Sequence, residues 1–142
     1  MKLSVVIPLF NKVSYIERAV TSVFNQKIPA KEIIVVDDGS TDGGGELIKN
    51  ESSDRRVRVV HQPNAGECAA RNRGIAEAHY PLVAFLDADD EWKSDFLKRI
   101  QRLVSLFPEA GAYATSAEII RSDHPHGYPS LGNLPKEPWV VL

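Results

Sequence analysis

The stretch LVAFLDADDEW (residues 82–92) contains the feature that decides the fold of this chain. Five apolar residues lead directly into Asp87, Asp89 and Asp90, so three carboxylates lie within four positions. Carboxylates this close raise one another's pKa, which costs free energy unless a counter-charge is present. The pattern predicts a buried strand whose carboxyl end carries a functional site.

Three other runs share this apolar character: KLSVVIP, EIIVVDD and VRVVHQ. All are nearly continuous rather than alternating, which is typical of parallel strands covered on both faces by helices. Helical segments lie between them, and GAYATSAEII favours a fifth strand. This alternation predicts an α/β fold, a three-layer α/β/α sandwich with a mostly parallel sheet.

The predicted helices differ in the quality of their start signals. The first begins at Ser14, because Ser14 and Glu17 have the spacing of a capping box. The second is expected to fray or begin late, because three consecutive glycines follow Asp42 and glycine destabilises a helix interior. Asp42 itself is predicted to cap this helix.

The composition excludes several classes of protein. The 17 basic and 19 acidic residues give a formal net charge of −2 at pH 7, which is no footprint for nucleic acid or an anionic membrane. The single cysteine, Cys68, cannot form an internal disulfide. No stretch approaches the roughly 20 apolar residues of a membrane span, and MKLSVVIPLFNK lacks the length and the small-residue cleavage pattern of a signal peptide. A cytoplasmic location is expected, with any membrane association supplied by regions beyond residue 142.

Polar residues and glycines collect after each predicted strand, in PLFN, DDGSTD, QPNAGE and DADDEW. Ligands of open α/β sheets bind outside the carboxyl ends of the strands. One acidic cluster is therefore expected at this edge, formed by Asp37, Asp38, Asp42, Asp87, Asp89 and Asp90. Carboxylate oxygens suit Mg²⁺ or Mn²⁺, which would in turn hold a diphosphate. The alternative is that these aspartates cap helices and turns.

Two other phosphate-binding motifs are absent. GSTDGGG has no lysine where a Walker A loop requires one, and PLFNKVSY has no glycine where a dinucleotide-binding turn requires three. An aspartate-dependent phosphotransfer enzyme stays open, because DAD (residues 87–89) offers two aspartates two positions apart.

The chain resembles the amino-terminal, nucleotide-binding half of family 2 glycosyltransferases of the GT-A fold. The resemblance rests on SVVIPLFN, IIVVDDGSTD, NAGECAARNRGI and FLDADDEW, which follow one another in the family's order over about residues 3–107. The last of these is similar to the family's D-x-D motif. The resemblance implies a nucleotide-diphospho-sugar donor, a divalent metal and a transfer with inversion.

The resemblance implies donor-binding roles for eight residues at the strand ends: Pro8, Phe10, Asp38, Gly66, Arg71, Asn72, Asp87 and Asp89. Phe10 offers an aromatic face to the base, unless it packs in the core. Asp38 accepts a hydrogen bond from a base N–H, which favours uracil and a UDP-sugar. Asp87 faces the ribose or sugar, and Asp89 holds the metal with Asp90 as a second ligand.

The resemblance extends to the loop and helix after the third strand. Asn64 and Gly66 are expected near the donor, where a missing Cβ lets the backbone approach. Arg71 and Asn72 orient the aspartates, although Arg71 as a structural ion pair is an equal alternative. Trp92 is expected to pack rather than contact the donor. Lys12 is close enough in sequence to the site to reach a phosphate, but it is expected to be a solvated surface lysine.

Residues 1–121 are predicted to form the nucleotide-sugar-binding domain. Residues 122–142 are predicted to be a loop rich in proline and glycine that begins an incomplete acceptor-binding part, with a strand-like WVVL at its end. The family's general base is an acidic residue of the acceptor-binding half, and no convincing candidate appears among Asp123, His124 and His126. The chain is therefore expected to be a portion of a longer enzyme that keeps the donor site. Its acceptor would be a saccharide, a lipid-linked group or a protein.

A non-catalytic α/β module that binds another protein is the second hypothesis. It rests on the missing base and on the PWVVL segment, which would leave a sheet edge unfinished. The phosphotransfer enzyme that uses Asp87 is the third.

Overall fold

The computed structural model of the protein describes residues 1–116, 118–121 and 124–129. Its elements alternate between strands and helices up to α4, and two further strands follow. In chain order they are β1 (Leu3–Leu9), α1 (Val13–Phe24), β2 (Glu32–Asp37), α2 (Gly44–Glu51), β3 (Val57–His61), α3 (Glu67–Glu77), β4 (Leu82–Phe85), α4 (Phe96–Leu106), β5 (Glu118–Arg121) and β6 (His124–Pro129).

Four strands form one parallel sheet in the order β3-β2-β1-β4. The register places Leu9 of β1 beside Asp37 of β2, and Asp37 in turn beside His61 of β3. The strands β1, β2 and β3 therefore end together, while β4 ends at Phe85 beside Val6. The segments that follow the four strands meet at one edge of the sheet. This is the arrangement that the four apolar runs predict.

Helices cover both faces of the sheet. Val5, Ile7 and Ile33 point to the face where α1 and α2 pack, and Leu97 of α4 joins the same buried cluster. Val6 and Ile34 point to the other face, where they pack on Ala70 of α3. Because successive side chains of a strand alternate between faces, a continuous apolar run is what two covered faces require. The predicted three-layer sandwich is confirmed.

The start of α1 differs from the prediction. The helix begins at Val13, and no side chain caps it from the N-cap position, so the capping box of Ser14 and Glu17 is wrong. Asp42 acts instead from another loop: its Oδ2 accepts the Val13 N–H at 2.8 Å and its Oδ1 accepts the Gly44 N–H at 3.0 Å. One carboxylate thus satisfies first-turn donors of both α1 and α2, which sequence spacing alone cannot reveal.

The glycines of α2 and α3 have packing reasons. The helix α2 begins at Gly44 despite the glycine run. Glycine is required at position 45, because a Cβ there would overlap the Asp37 carboxylate. The helix α3 continues through Gly74, where a Cβ would overlap the Val6 side chain. Each glycine costs helix propensity but lets the helix lie close to the sheet.

The opposite edge of the sheet carries a structural ion network around Glu32, whose residue surface is 7% exposed. Its Oε2 accepts hydrogen bonds from Ser4 Oγ at 2.7 Å and the His79 N–H at 3.1 Å. Its Oε1 lies 3.3 Å from Arg58 Nε and 2.5 Å from His79 Nδ1. Burial alone raises the pKa of Glu32, but these hydrogen bonds outweigh it and lower the pKa to about 2.

The chain divides into two compact units, Met1–Lys98 and Arg99–Leu142. In the second unit, β5 and β6 form a two-stranded antiparallel sheet. The observed strand β5 covers only Glu118–Arg121, so it is shorter than the predicted fifth strand GAYATSAEII. His124–Pro129 form the strand β6, where the sequence predicts a loop. Residues 122–123 and the predicted WVVL strand lie outside the described residues. The domain boundary after residue 121 stays a prediction.

None of the helices in the described part of the chain combines the length and apolar character that a membrane-spanning segment requires.

Candidate functional site

A cleft of about 480 Å³ opens at the carboxyl ends of the parallel strands. Segments from all four strand ends contribute to its wall. The lining residues are Pro8, Leu9, Phe10, Lys12, Asp38, Asn64, Gly66, Glu67, Ala70, Asp87, Ala88 and Asp89. Asp38 therefore faces the same space as Asp87 and Asp89, from which it is distant in sequence.

Asp38 organises the loop that follows β3. Its Oδ1 accepts hydrogen bonds from Gln62 Nε2 at 2.7 Å and from the Ala65 N–H at 2.9 Å, and its Oδ2 accepts the Gly66 N–H at 2.8 Å. Burial of this carboxyl, 2% exposed, raises its pKa, but the three hydrogen bonds prevail and lower it. Asp38 is therefore an anion that holds residues 62–66 against the cleft.

The turn after β2 approaches the same loop closely. Gly39 has a φ of 76°, and a Cβ there would lie 2.9 Å from the Asn64 backbone nitrogen. Asp37 supports the turn from behind, since its Oδ1 accepts the Ser40 N–H at 2.9 Å. A missing side chain at Gly39 thus brings the two loops that carry Asp38 and Asn64 together.

Arg71 joins two acidic side chains at the cleft. Its Nη2 lies 2.7 Å from Asp87 Oδ1 and 2.5 Å from Glu67 Oε1, and its guanidinium stands 5.8 Å from the centre of the Phe85 ring. The hydrogen bond to Asp87 raises the pKa of Arg71. Within the described residues, Arg71 Nε is buried and has no hydrogen-bond partner. Arg71 supplies one of the counter-charges that the aspartate cluster requires.

Lys12 and Arg18 supply the others. Lys12 Nζ lies 2.5 Å from Asp89 Oδ2, and Arg18 Nη2 donates to the Asp89 carbonyl oxygen at 2.7 Å. The hydrogen bond from Lys12 lowers the pKa of Asp89. Desolvation and the charges of Asp87 and Asp89 raise the pKa of Asp90, whose N–H closes a turn on the Asp87 carbonyl oxygen at 3.0 Å.

The structure brings most of the predicted site residues together. Seven residues named from the sequence line the cleft: Pro8, Phe10, Asp38, Asn64, Gly66, Asp87 and Asp89. Phe10 is 47% exposed, so it is not a core residue. Asn72 and Asp90 are exposed but are not among the lining residues, and Arg71 reaches the cleft through its contact with Asp87.

Two expectations beside the site have clear outcomes. Trp92 packs as predicted, stacked on Phe96 with ring centres 4.2 Å apart. The sequence predicts Lys12 to be a solvated surface lysine, but it forms an ion pair with Asp89. Sequence reasoning also missed Glu67, although its position four residues before Arg71 is the spacing of a helical ion pair.

The donor chemistry of the cleft fits a hard divalent cation. Asp87 and Asp89 present half-exposed carboxylates, and Mg²⁺ commonly takes only one or two of these together with substrate phosphates. Among the described residues, no three histidine, cysteine or acidic side chains are grouped as a complete ligand set. A divalent cation bound at Asp87 or Asp89 would therefore need further ligands from outside the described residues.

The fold and this cleft define a class: a parallel α/β domain with a polar, acidic pocket at its strand ends. The sequence model of glycosyl transferase family 2 matches residues 4–132. The chain belongs to this family.

Curated relatives are longer than this chain. The putative teichuronic acid biosynthesis glycosyltransferase TuaG of Bacillus subtilis is 44% identical over 98 residues, which are 68% of this chain and 39% of the relative. An uncharacterized glycosyltransferase of Nostoc is 41% identical over 109 residues, which are 75% of this chain and 33% of the relative. The chain thus spans well under half the length of these relatives.

Solved structures share the fold. TarS of S. aureus in complex with UDP-GlcNAc matches with a TM-score of 0.69 and 25% identity, over 84% of this chain and 40% of that one. The mannosyltransferase PcManGT of Pyrobaculum calidifontis in complex with GDP-Man and Mn²⁺ matches with a TM-score of 0.72 and 25% identity, over 84% and 36%. The predicted GT-A type fold is confirmed.

Proposed function

We propose that this chain carries the donor site of a metal-assisted glycosyltransferase that moves a sugar from a nucleoside diphosphate, preferably UDP, to an acceptor hydroxyl. The single observation that carries the proposal is that Asp38, Asp87 and Asp89 face one cleft beside the exposed ring of Phe10. Family membership and a neighbour bound to UDP-GlcNAc support the same class of donor.

The base end of the donor belongs between Phe10 and Asp38. An exposed aromatic ring provides a stacking surface for a nucleobase. Asp38 is held as an anion, so it can accept a hydrogen bond from a ring N–H while Gln62, Ala65 and Gly66 keep it in place. Pro8 and Asn64 also line the cleft.

The diphosphate and sugar belong at the other end, near Asp87 and Asp89. Arg71 holds Asp87 so that its second oxygen can accept hydrogen bonds from ribose or sugar hydroxyls. Asp89 would hold a divalent cation, with Asp90 as a second ligand. A cation bound there would stabilise the negative charge of the departing diphosphate. Asn72 lies on α3 beside Arg71, and we assign it a supporting role in this orientation.

In the transfer, the bond from the anomeric carbon to the diphosphate oxygen breaks, and its electron pair stays on the diphosphate. The acceptor oxygen forms the new bond from the opposite face of the sugar, which inverts the configuration at the anomeric carbon. The acceptor hydroxyl gives its proton to a general base. We place that base in the acceptor-binding part of a longer protein.

The acceptor and the location are part of the same proposal. A relative named for teichuronic acid biosynthesis supports a saccharide or other cell-wall acceptor. The single cysteine supports a cytoplasmic location of the protein.

Calorimetric titration of the chain with UDP tests the proposal. UDP is expected to bind in the presence of Mn²⁺ and to bind more weakly after chelation of the metal. GDP is the comparator and is expected to bind less tightly than UDP, which is the preferred nucleotide of this proposal. Absence of any metal-dependent nucleotide binding would contradict the proposed function.

The second candidate, a protein-binding module without catalysis, makes a different prediction for the same titration. For this module, UDP and GDP are expected not to bind, and its sedimentation is expected to change with protein concentration. Family membership favours the first candidate.

A further inference from the structure

Lys12 has the position in the cleft that the proposed metal ion would need. Among the described residues that line the cleft, it is the only basic one, and the others that carry charge are acidic: Asp38, Glu67, Asp87 and Asp89. Its ammonium group contacts Asp89 at 2.5 Å, and the two side chains are 42% and 45% exposed. An ion pair this exposed is weak enough to be exchanged.

The backbone that carries Lys12 is held firmly. Asn11 has a φ of 50°, and its Oδ1 accepts the Thr41 N–H at 2.8 Å. On the other side, the Val13 N–H donates to Asp42 at 2.8 Å. The Lys12 side chain can therefore swing from a fixed Cα without unfolding the start of α1.

The turn that carries Asp89 does not depend on Lys12. Arg18 holds the Asp89 carbonyl oxygen at 2.7 Å, and the Asp90 N–H bonds to the Asp87 carbonyl oxygen at 3.0 Å. On the Asp89 turn these contacts use main-chain atoms, whereas Lys12 contacts the carboxylate oxygen Oδ2. Loss of the ammonium group would free the carboxylate while the turn keeps its shape.

We propose that Lys12 is a counter-ion that occupies Asp89 while the cleft is empty and transfers to the donor diphosphate when a divalent cation takes that carboxylate. The inference rests on the proposed function and adds a coupling mechanism to it. A cation that approaches Asp89 is repelled by the ammonium group and must displace it. A diphosphate offers the displaced ammonium group a new anionic partner. Metal and nucleotide therefore raise each other's affinity by the same factor.

Lys12→Met tests this coupling, because methionine keeps an unbranched side chain and removes the charge. Mn²⁺ alone is titrated into the chain by calorimetry, and the titration is repeated with saturating UDP. Without UDP, the variant is expected to bind Mn²⁺ about fivefold more tightly than the wild type, as loss of a half-exposed competing ion pair implies. The factor by which UDP tightens Mn²⁺ binding is expected to shrink.

Lys31→Met is the matched control, since Lys31 is exposed just before β2, at the opposite edge of the sheet. It is expected to bind Mn²⁺ as the wild type does, and Lys12→Arg is expected to retain the coupling. Lys12→Gln provides a second neutral variant if Lys12→Met does not fold. Unchanged Mn²⁺ affinity and unchanged coupling in the neutral variant, with UDP still bound, would overturn the role of Lys12 and leave the proposed function standing. A wild-type chain that binds neither UDP nor Mn²⁺ would overturn both.

Discussion

Asp89→Asn is expected to weaken the binding of UDP in the presence of Mn²⁺ by about a hundredfold, since changes at metal sites have effects of this size. The substitution keeps the shape of the side chain and removes the negative charge that faces the cleft beside Asp87. Without that charge, Asp89 can no longer hold a cation at the diphosphate end. Calorimetry with UDP and Mn²⁺ measures the loss, and the affinity for UDP after chelation of the metal is expected to change much less.

Glu91→Gln is the control for this experiment. Glu91 lies two residues further along the same segment, and its exposed carboxylate pairs with Arg18 at 3.6 Å. Like Asp89→Asn, this substitution removes one negative charge, but Glu91 is not among the residues that line the cleft. It is expected to leave UDP binding within about twofold of the wild type, as loss of an exposed pair implies. Equal losses in the two variants would mean that Asp89 acts only through the general charge of this segment.

Glu32→Gln is expected to lower the free energy of unfolding at neutral pH by about 2 kcal/mol. Glu32 has a pKa of about 2 in the folded chain against an ordinary value of 4.5. Because the pKa of Glu32 is lower in the folded chain than in the unfolded chain, ionised Glu32 stabilises the fold at pH values above about 4.5. This contribution is lost as the pH falls from about 4.5 towards 2. The expected free energy is smaller than the one that corresponds to the full pKa difference, because the His79 side chain that contacts Glu32 is 73% exposed and water weakens that contact.

Urea unfolding at a series of pH values measures this effect. The wild type is expected to lose stability through the acidic range, and the variant is expected to show a flatter profile there. Glu17→Gln, on the exposed face of α1, is the control and is expected to follow the wild type. Equal pH profiles for Glu32→Gln and the wild type would contradict a structural role for the ion network at this edge.

The fold was predictable because its strongest signals are local. Continuous apolar runs such as SVVIP and EIIVV encode strands that are covered on both faces, and the residues after them must share one edge of a parallel sheet. This pattern predicts that Asp38, Asp87 and Asp89 lie together, and all three line the cleft. The exposure of Phe10 follows from its position just past the end of β1.

What could not be predicted depends on contacts between distant segments. Asp42 reaches the start of α1 from 29 residues away, so the local signal at Ser14 and Glu17 was misleading. Lys12 meets Asp89 across 77 residues, and nothing in the sequence near either residue indicates that pairing. The glycines of α2 and α3 weaken a helix locally, yet they fit the Asp37 and Val6 side chains beneath them.

A crystal structure of the chain with UDP and Mn²⁺ would show directly whether the cleft is a sugar-donor site. We expect the uracil ring against Phe10 and Asp38 and the metal ion on Asp89. The diphosphate is expected between them, with Lys12 turned towards it. Nucleotide density elsewhere on the molecule, or a metal ion without contact to Asp89, would contradict the claim that these strand ends form a sugar-donor site.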